Sequence, residues 1–209
     1  MASRRKKAWE RSGGRGRLSR RIDTKEVKPR ILVVCEGKKT EPNYFKGFKV
    51  STVDLVIEPA GAVHVSVVER AIELVAQDGD YEEVWCVFDR DKHITNPQDT
   101  ALFNSALEKA SASGVRVAYS NDAFELWYLL HFNYVDSQIL RADYVAKLRD
   151  ILGTYKKNDP NMYGKLEDKM ETAIRNAKKL YDECDKTDPA NADPSTTVFM
   201  LVERLMELK

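Results

Sequence analysis

Four short apolar runs punctuate the first 120 residues, and their spacing constrains the fold more than any other feature of the chain. ILVVC (31–35), VDLVI (53–57), EEVWCVF (82–88) and VRVAY (115–119) suit buried strands and are too short for core helices. Between them the periodicity turns helical. Val63, Val67, Val68, Ala71, Ile72 and Val75 share one face of residues 63–77. Residues 98–112 read as a second helix, with Gly114 just past its end. A shorter helix is expected over 41–48, with Thr40 as its cap. Strand and helix in alternation predict an α/β layer, a mainly parallel four-stranded sheet flanked by helices.

After Ser120 the pattern changes. NDAFELWYLLHF (121–132) reads as a helix capped by Asn121 or Asp122. Further helices are expected over 140–152 and 164–184, KTDPANADPSTT (186–197) reads as a loop, and TVFMLVERLMEL (197–208) as a terminal amphipathic helix. The expected organisation is an arm (1–28), an α/β core (29–135) and a helical C-terminal extension packed on the core (136–209).

The formal net charge of +1 hides an asymmetry. Residues 1–30 hold twelve Lys and Arg against three acids, and the remainder holds 22 basic and 30 acidic residues. RRKKAWERSGGRGRLSRR (4–21) is also poor in aliphatics, so it reads as a flexible basic arm. Such an arm suits contact with the phosphates of RNA or DNA, or an acidic partner, or simple solubility. No apolar run reaches the ~18 residues of a membrane span, and the basic start lacks the apolar stretch of a secretory signal. Cys35, Cys86 and Cys184 are an odd number without C-x-x-C spacing, which predicts reduced thiols in a cytoplasmic protein.

Acids follow the strands. Glu36 comes directly after ILVVC, and Asp89 and Asp91 directly after EEVWCVF. In open α/β sheets ligands sit beyond the carboxyl ends of the strands, where these acids are expected to fall. Two Asp one residue apart on an extended chain point the same way. Their repulsion is relieved by a hard cation such as Mg²⁺, or by Arg90 and Lys92 between and beside them. Gly37 lets the backbone approach a substrate, and Lys38 and Lys39 offer charge for phosphate oxygens. The spacing is not that of a P-loop, and no Walker motif is present.

The strings ILVVCEGKKTEPNYFKGF, VWCVFDRDKH and SNDAFELWYLLHF, in that order, resemble the RloB family, Toprim-like proteins of anti-phage defence loci. The resemblance runs over roughly residues 28–208 and takes in Tyr155-Lys156-Lys157. It departs at Asp122, where proline is expected, and this changes the turn before the helix and offers another acid. The resemblance implies a Toprim-like core in which Glu36 is the general acid/base or a metal ligand and Asp89 and Asp91 hold metal. It implies one or two Mg²⁺ (or Mn²⁺) ions acting on a scissile phosphate. It also implies an ABC-type ATPase partner and an abortive-infection role, with RNA, tRNA or DNA as substrate. Homo-oligomerisation stays open.

Further candidates have two readings each. Glu41 is either a charge at a helix N-terminus or a second-metal ligand. Glu125 is either such a charge or an active-site acid. His131 is a core histidine or a phosphate contact. Lys157 is solvated or nucleic-acid-binding, and Arg90 either neutralises the two Asp or binds nucleic acid. Three functions are compatible with these residues: a metal-dependent nuclease, a non-catalytic nucleic-acid- or partner-binding module, and a nucleotidyl transferase.

Overall fold

The computed structural model describes residues 28–90 and 97–209. The expected basic arm lies outside these residues, Lys28 apart, and so do Asp91, Lys92 and His93.

β1 (Arg30–Cys35), β2 (Asp54–Pro59), β3 (Glu83–Asp89) and β4 (Arg116–Asn121) form a parallel sheet, with α1 (Thr40–Phe45), α2 (His64–Asp78) and α3 (Pro97–Ala112) in the connections. A fifth strand, β5 (Ser195–Thr196), pairs antiparallel with β4, and the order is β2-β1-β3-β4-β5. The four-stranded expectation is therefore one strand short. β5 is two residues long and held by polar side chains, so it left no apolar signature. The Thr196 hydroxyl donates to the Tyr119 carbonyl (2.9 Å), and the Tyr119 amide donates to the Thr197 hydroxyl (2.9 Å).

Side chains alternate across the sheet, as the two-residue repeat of a strand requires. Leu32, Val34, Cys86, Phe88 and Tyr119 face one way and pack with Val67, Val68, Ala71, Phe103 and Ala106 of α2 and α3. Ile31, Val33, Cys35, Trp85, Val87 and Ala118 face the other way. That second face is covered by α1 and by the helices of the later half: α4 (Glu125–Leu130), α5 (Arg141–Leu152), α6 (Met162–Leu166), α7 (Met170–Glu183) and α8 (Val198–Glu207). Both faces of the central strands are thus buried, which explains why β1 reads as an unbroken apolar run.

Helix starts differ from expectation. Thr40 does not cap α1; it is the first helical residue, and its hydroxyl donates to Asn158 Oδ1 (2.7 Å). Asn121 does not cap α4; it ends β4, and its Nδ2 donates to the Ala192 carbonyl (2.8 Å). The single helix expected over 164–184 is broken by a 3₁₀ turn at Glu167–Lys169 into α6 and α7. In each case tertiary hydrogen bonding or packing overrides a local preference that was compatible with both outcomes. Among the described residues no helix is long and apolar enough to cross a membrane.

Leu201 of α8 is fully buried in the cluster that also contains Ile31 and Trp85. Leu201→Ala is expected to lower stability by about 2–5 kcal/mol. Far-UV and near-UV signals should still fall together in a denaturant titration, because α8 shares the core of the sheet.

Candidate functional site

β1 and β3 are neighbours in parallel register, so they end at the same edge. Past that edge the Glu36 amide still donates to the Val87 carbonyl (2.8 Å), which holds Glu36 beside the last residues of β3. Its Oε2 in turn accepts the Asp89 amide (3.0 Å). The two acids are joined by this bond, although 53 positions separate them.

Asp89 is buried at the end of β3. Arg141, the first residue of α5, donates to its Oδ2 at 3.2 Å. The Asp89 carbonyl meets Nε2 of His64 at 2.9 Å, at the start of α2. Glu41 enters from α1, also buried, and its Oε2 has no hydrogen-bond partner. That oxygen lies against Gly37, where an added Cβ would sit 2.1 Å away. A side chain at Gly37 would therefore push the Glu41 carboxylate out of its present position, while the Gly37 backbone needs no special dihedral. Glu125 enters at the start of α4 and accepts a hydrogen bond from the Tyr155 hydroxyl (3.1 Å).

Four carboxylates thus come together from four segments. Burial, then Glu41 and Glu125, hold the Asp89 carboxyl well above the ordinary carboxylate range. Arg141 opposes this shift and Glu36 adds to it. Glu41 is raised too, first by burial and then by Glu125, with Lys157 and Arg141 opposing. The cause is desolvation plus like charge, the combination that marks functional carboxylates.

The cleft that these groups share has a volume of about 450 Å³. Glu36, Glu41 and Asp89 line it together with Lys38, Lys39, Arg141 and Lys157. Acids at the floor and cations around them make a surface on which an anion can approach carboxylates. Of the residues expected here, Glu36, Glu41, Asp89, Lys38, Lys39 and Lys157 line the cleft, and Glu125, outside the lining, acts electrostatically on Asp89 and Glu41. Asp91 falls outside the described residues.

Two expected phosphate contacts are placed elsewhere. The Arg90 side chain is buried, donates to the Thr100 hydroxyl (2.7 Å) and lies over Phe103. It turns to the α3 side of the sheet because the strand alternation sends it opposite to Asp89. His131 is 1% exposed, packs edge-on to Trp127 and shares its Nδ1 with the Trp127 carbonyl (2.9 Å). Burial lowers its pKa to about 4, so it is a neutral core histidine. Asp122 is buried and outside the cleft lining.

Arg141 was missed by sequence reasoning. It lies in an amphipathic helix like any surface arginine, and nothing local links it to an acid 52 positions earlier. Asn158 was missed as well. Its φ of +71° marks a tight turn, which Asn tolerates, and its side chain and carbonyl tie the loop to Thr40 and Asn43.

All candidate donors here are oxygen atoms, and Glu41 Oε2 is buried and unpartnered, a chemistry that fits a hard divalent cation. Among the described residues, no group of three or more His, Cys, Asp or Glu side chains stands in a metal-binding arrangement. At Asp89 the Arg141 guanidinium supplies the positive charge.

The fold and the cleft define a class, α/β proteins with an acidic, cation-rimmed cleft at the carboxyl edge of a mostly parallel sheet. A family model described as RloB-like protein matches residues 31–205, and the chain belongs to that family. No curated protein and no solved structure matches it significantly.

The buried carboxyl and the buried histidine each make stability depend on pH. Glu41 has a raised carboxyl, so above its unfolded value the fold either keeps a proton from solvent or ionises a buried group, and both cost stability. Glu41→Gln should therefore raise the denaturation midpoint at pH 7.5, with the gain shrinking as the pH falls towards 4. A gain that is equal at both pH values would show that charge is not its source. His131 has the opposite sign: its folded pKa is depressed, so stability is present above the unfolded value near 6.5 and is lost as the pH falls from there to about 4. That loss is worth about 3 kcal/mol. Denaturant titrations across this range should show wild type losing that much more than His131→Phe.

Proposed function

We propose that the chain is a metal-dependent phosphodiesterase, a Toprim-type nuclease that uses Mg²⁺ or Mn²⁺. The observation that supports it best is the convergence of Glu36, Glu41, Asp89 and Glu125 at one sheet edge, with lysines and an arginine rimming the same cleft. Structural acids are usually dispersed or paired one to one. Four from separate segments, with two held above their ordinary range, are costly to the fold and make sense as a site.

Glu36, Asp89 and Glu41 line the cleft and are the oxygen donors a cation would draw on, although they do not stand as a ready three-ligand set and Asp89 would have to exchange Arg141 for the ion. When bound, it would polarise the phosphate and lower the pKa of an attacking water. The chain's own residues do the rest. Lys38, Lys39 and Lys157 draw the phosphate into the cleft. Arg141 holds Asp89 in place and is close enough to share its charge with an incoming anion. The Tyr155 hydroxyl fixes the orientation of Glu125. Glu36, held in place by the Asp89 amide, would serve as the general acid/base that takes or returns a proton. Substrates would be RNA, including tRNA, or DNA. The family further suggests an effector role in anti-phage defence beside an ABC-type ATPase.

A second reading rests on the Arg141–Asp89 pair. With that acid already neutralised, the cleft would serve a non-catalytic module that binds nucleic acid or a partner.

The test is cleavage of labelled tRNA, single-stranded RNA, and single- and double-stranded DNA by purified protein with Mg²⁺ or Mn²⁺. Wild type is expected to cut at least one substrate, with a loss of at least ~10³-fold in Glu36→Ala/Asp89→Ala, the order expected on removing electrostatic stabilisation of a transition state. Silence from wild type, both alone and with the neighbouring ATPase, would overturn the reading and favour the binding module.

A further inference from the structure

The acidic cleft does not end at Lys157. Lys157 and Asn158 also line a second cleft of about 380 Å³, together with Lys156, Asp159 and Lys165. Pro160 and Asn161 of that cleft line a third, of about 620 Å³, with Lys49, Tyr163, Glu167 and Lys209. The three are consecutive because the loop from 153 to 161, between α5 and α6, forms a wall of each. The loop is tied down, since Thr40 and Asn43 of α1 both donate to Asn158.

The charge along this path is not that of the rest of the protein. Five lysines line the two outer clefts against two acids, in a chain whose residues after 30 are acidic in sum. Both acids are already neutralised: Asp159 by Lys165 and Glu167 by Lys209, each at 2.8 Å. Lys49, Lys156 and Lys157 are left in excess, and all three are exposed. A separate pocket of about 390 Å³ at the end of α7 has the opposite character, with Asp136, Glu183, Asp185, Asp188 and Asp193 in its wall.

The geometry points to a track for a single polynucleotide strand, held by its phosphates, that enters over Lys49, passes Lys156, and delivers one phosphodiester to the acids beyond Lys157. Each cleft has the volume of a small-ligand site, about 300–1,000 Å³, room for about one nucleotide, and three in line along one loop suit a strand that follows the path. The aromatic residue in the outer wall, Tyr163, is 6% exposed and covered by Lys209. Tyr163 therefore offers no face for a base to stack on, and recognition is by backbone charge, indifferent to sequence. The chemistry at the end of the track rests on the phosphodiesterase reading; the binding does not.

The experiment measures binding of the full chain to fluorescein-labelled oligonucleotides about 20 nucleotides long, single-stranded RNA, the same sequence as DNA, and the duplex, between about 50 and 200 mM salt in EDTA. Lys49→Gln/Lys156→Gln/Lys157→Gln is compared with wild type and with a charge-matched control, Lys178→Gln/Lys179→Gln/Lys186→Gln. Single-strand binding is expected to lose about 2 from the slope of log K against log salt, at ~0.7 per phosphate contact, and at least about tenfold in affinity at ~0.1 M. The control should stay within about twofold, and changing the oligonucleotide sequence should leave the difference intact. An unchanged slope and affinity in the track variant, or an equal loss in the control, would overturn the proposal. A loss confined to the duplex would do so too. Glu36→Ala/Asp89→Ala separates the two readings, because it should bind no more weakly than wild type while cutting nothing. Normal binding by a track variant of a protein that cuts would sink the track and leave the nuclease. Lost binding in a protein that never cuts would do the reverse.

Discussion

The hydrogen bond from the Asp89 amide to Glu36 Oε2 is where the fold becomes a site. It exists because β1 and β3 are adjacent and parallel, so the first residue past one strand meets the last residue of the other. Parallel pairing leaves the chain no freedom to place these acids apart. The result is electrostatic crowding, since α1 brings Glu41 to the same edge and α4 places Glu125 within electrostatic reach. The protein tolerates this through a small set of compensations: Arg141 on Asp89, Tyr155 on Glu125, and the absence of a side chain at Gly37 that leaves room for Glu41.

Those compensations come largely from the second half of the chain. Arg141 opens α5, and Tyr155 and Lys157 lie in the loop after that helix. The same half covers one whole face of the sheet and adds β5 to its edge. An extension that looks like an appendage in sequence therefore finishes both the core and the cleft. The loop from 153 to 161 has a further consequence, because pinning Asn158 to α1 fixes three clefts in line and gathers lysines on a surface that is otherwise acidic in sum.

Much of this architecture is legible in the chain itself. Each parallel strand carries enough apolar residues to announce itself, and α2 and α3 show a helical repeat that matches their observed limits to within about a residue. Glu36, Asp89, Glu41, Lys38, Lys39 and Lys157 were all legible as cleft candidates. For Arg90 the nucleic-acid reading does not hold, and for His131 the core reading does. A charged residue beside a cleft acid looks functional until strand alternation turns it to the opposite face. A histidine in an aromatic-rich helix was readable as a core residue or as a phosphate contact, and burial of the whole helix decides for the core.

The sequence by itself determined the α/β class, the parallel order of strand and helix, and the acids at the strand ends, because hydrophobic periodicity and strand length are local properties. Tertiary structure alone decided that Arg141 neutralises Asp89, that Tyr155 holds Glu125, that Ser195 and Thr196 complete the sheet, and that separate lysines form one path. Each of these is a meeting of polar groups distant along the chain. Polar pairing has no period to read, and its energy appears only once the backbone has brought the partners within hydrogen-bonding distance.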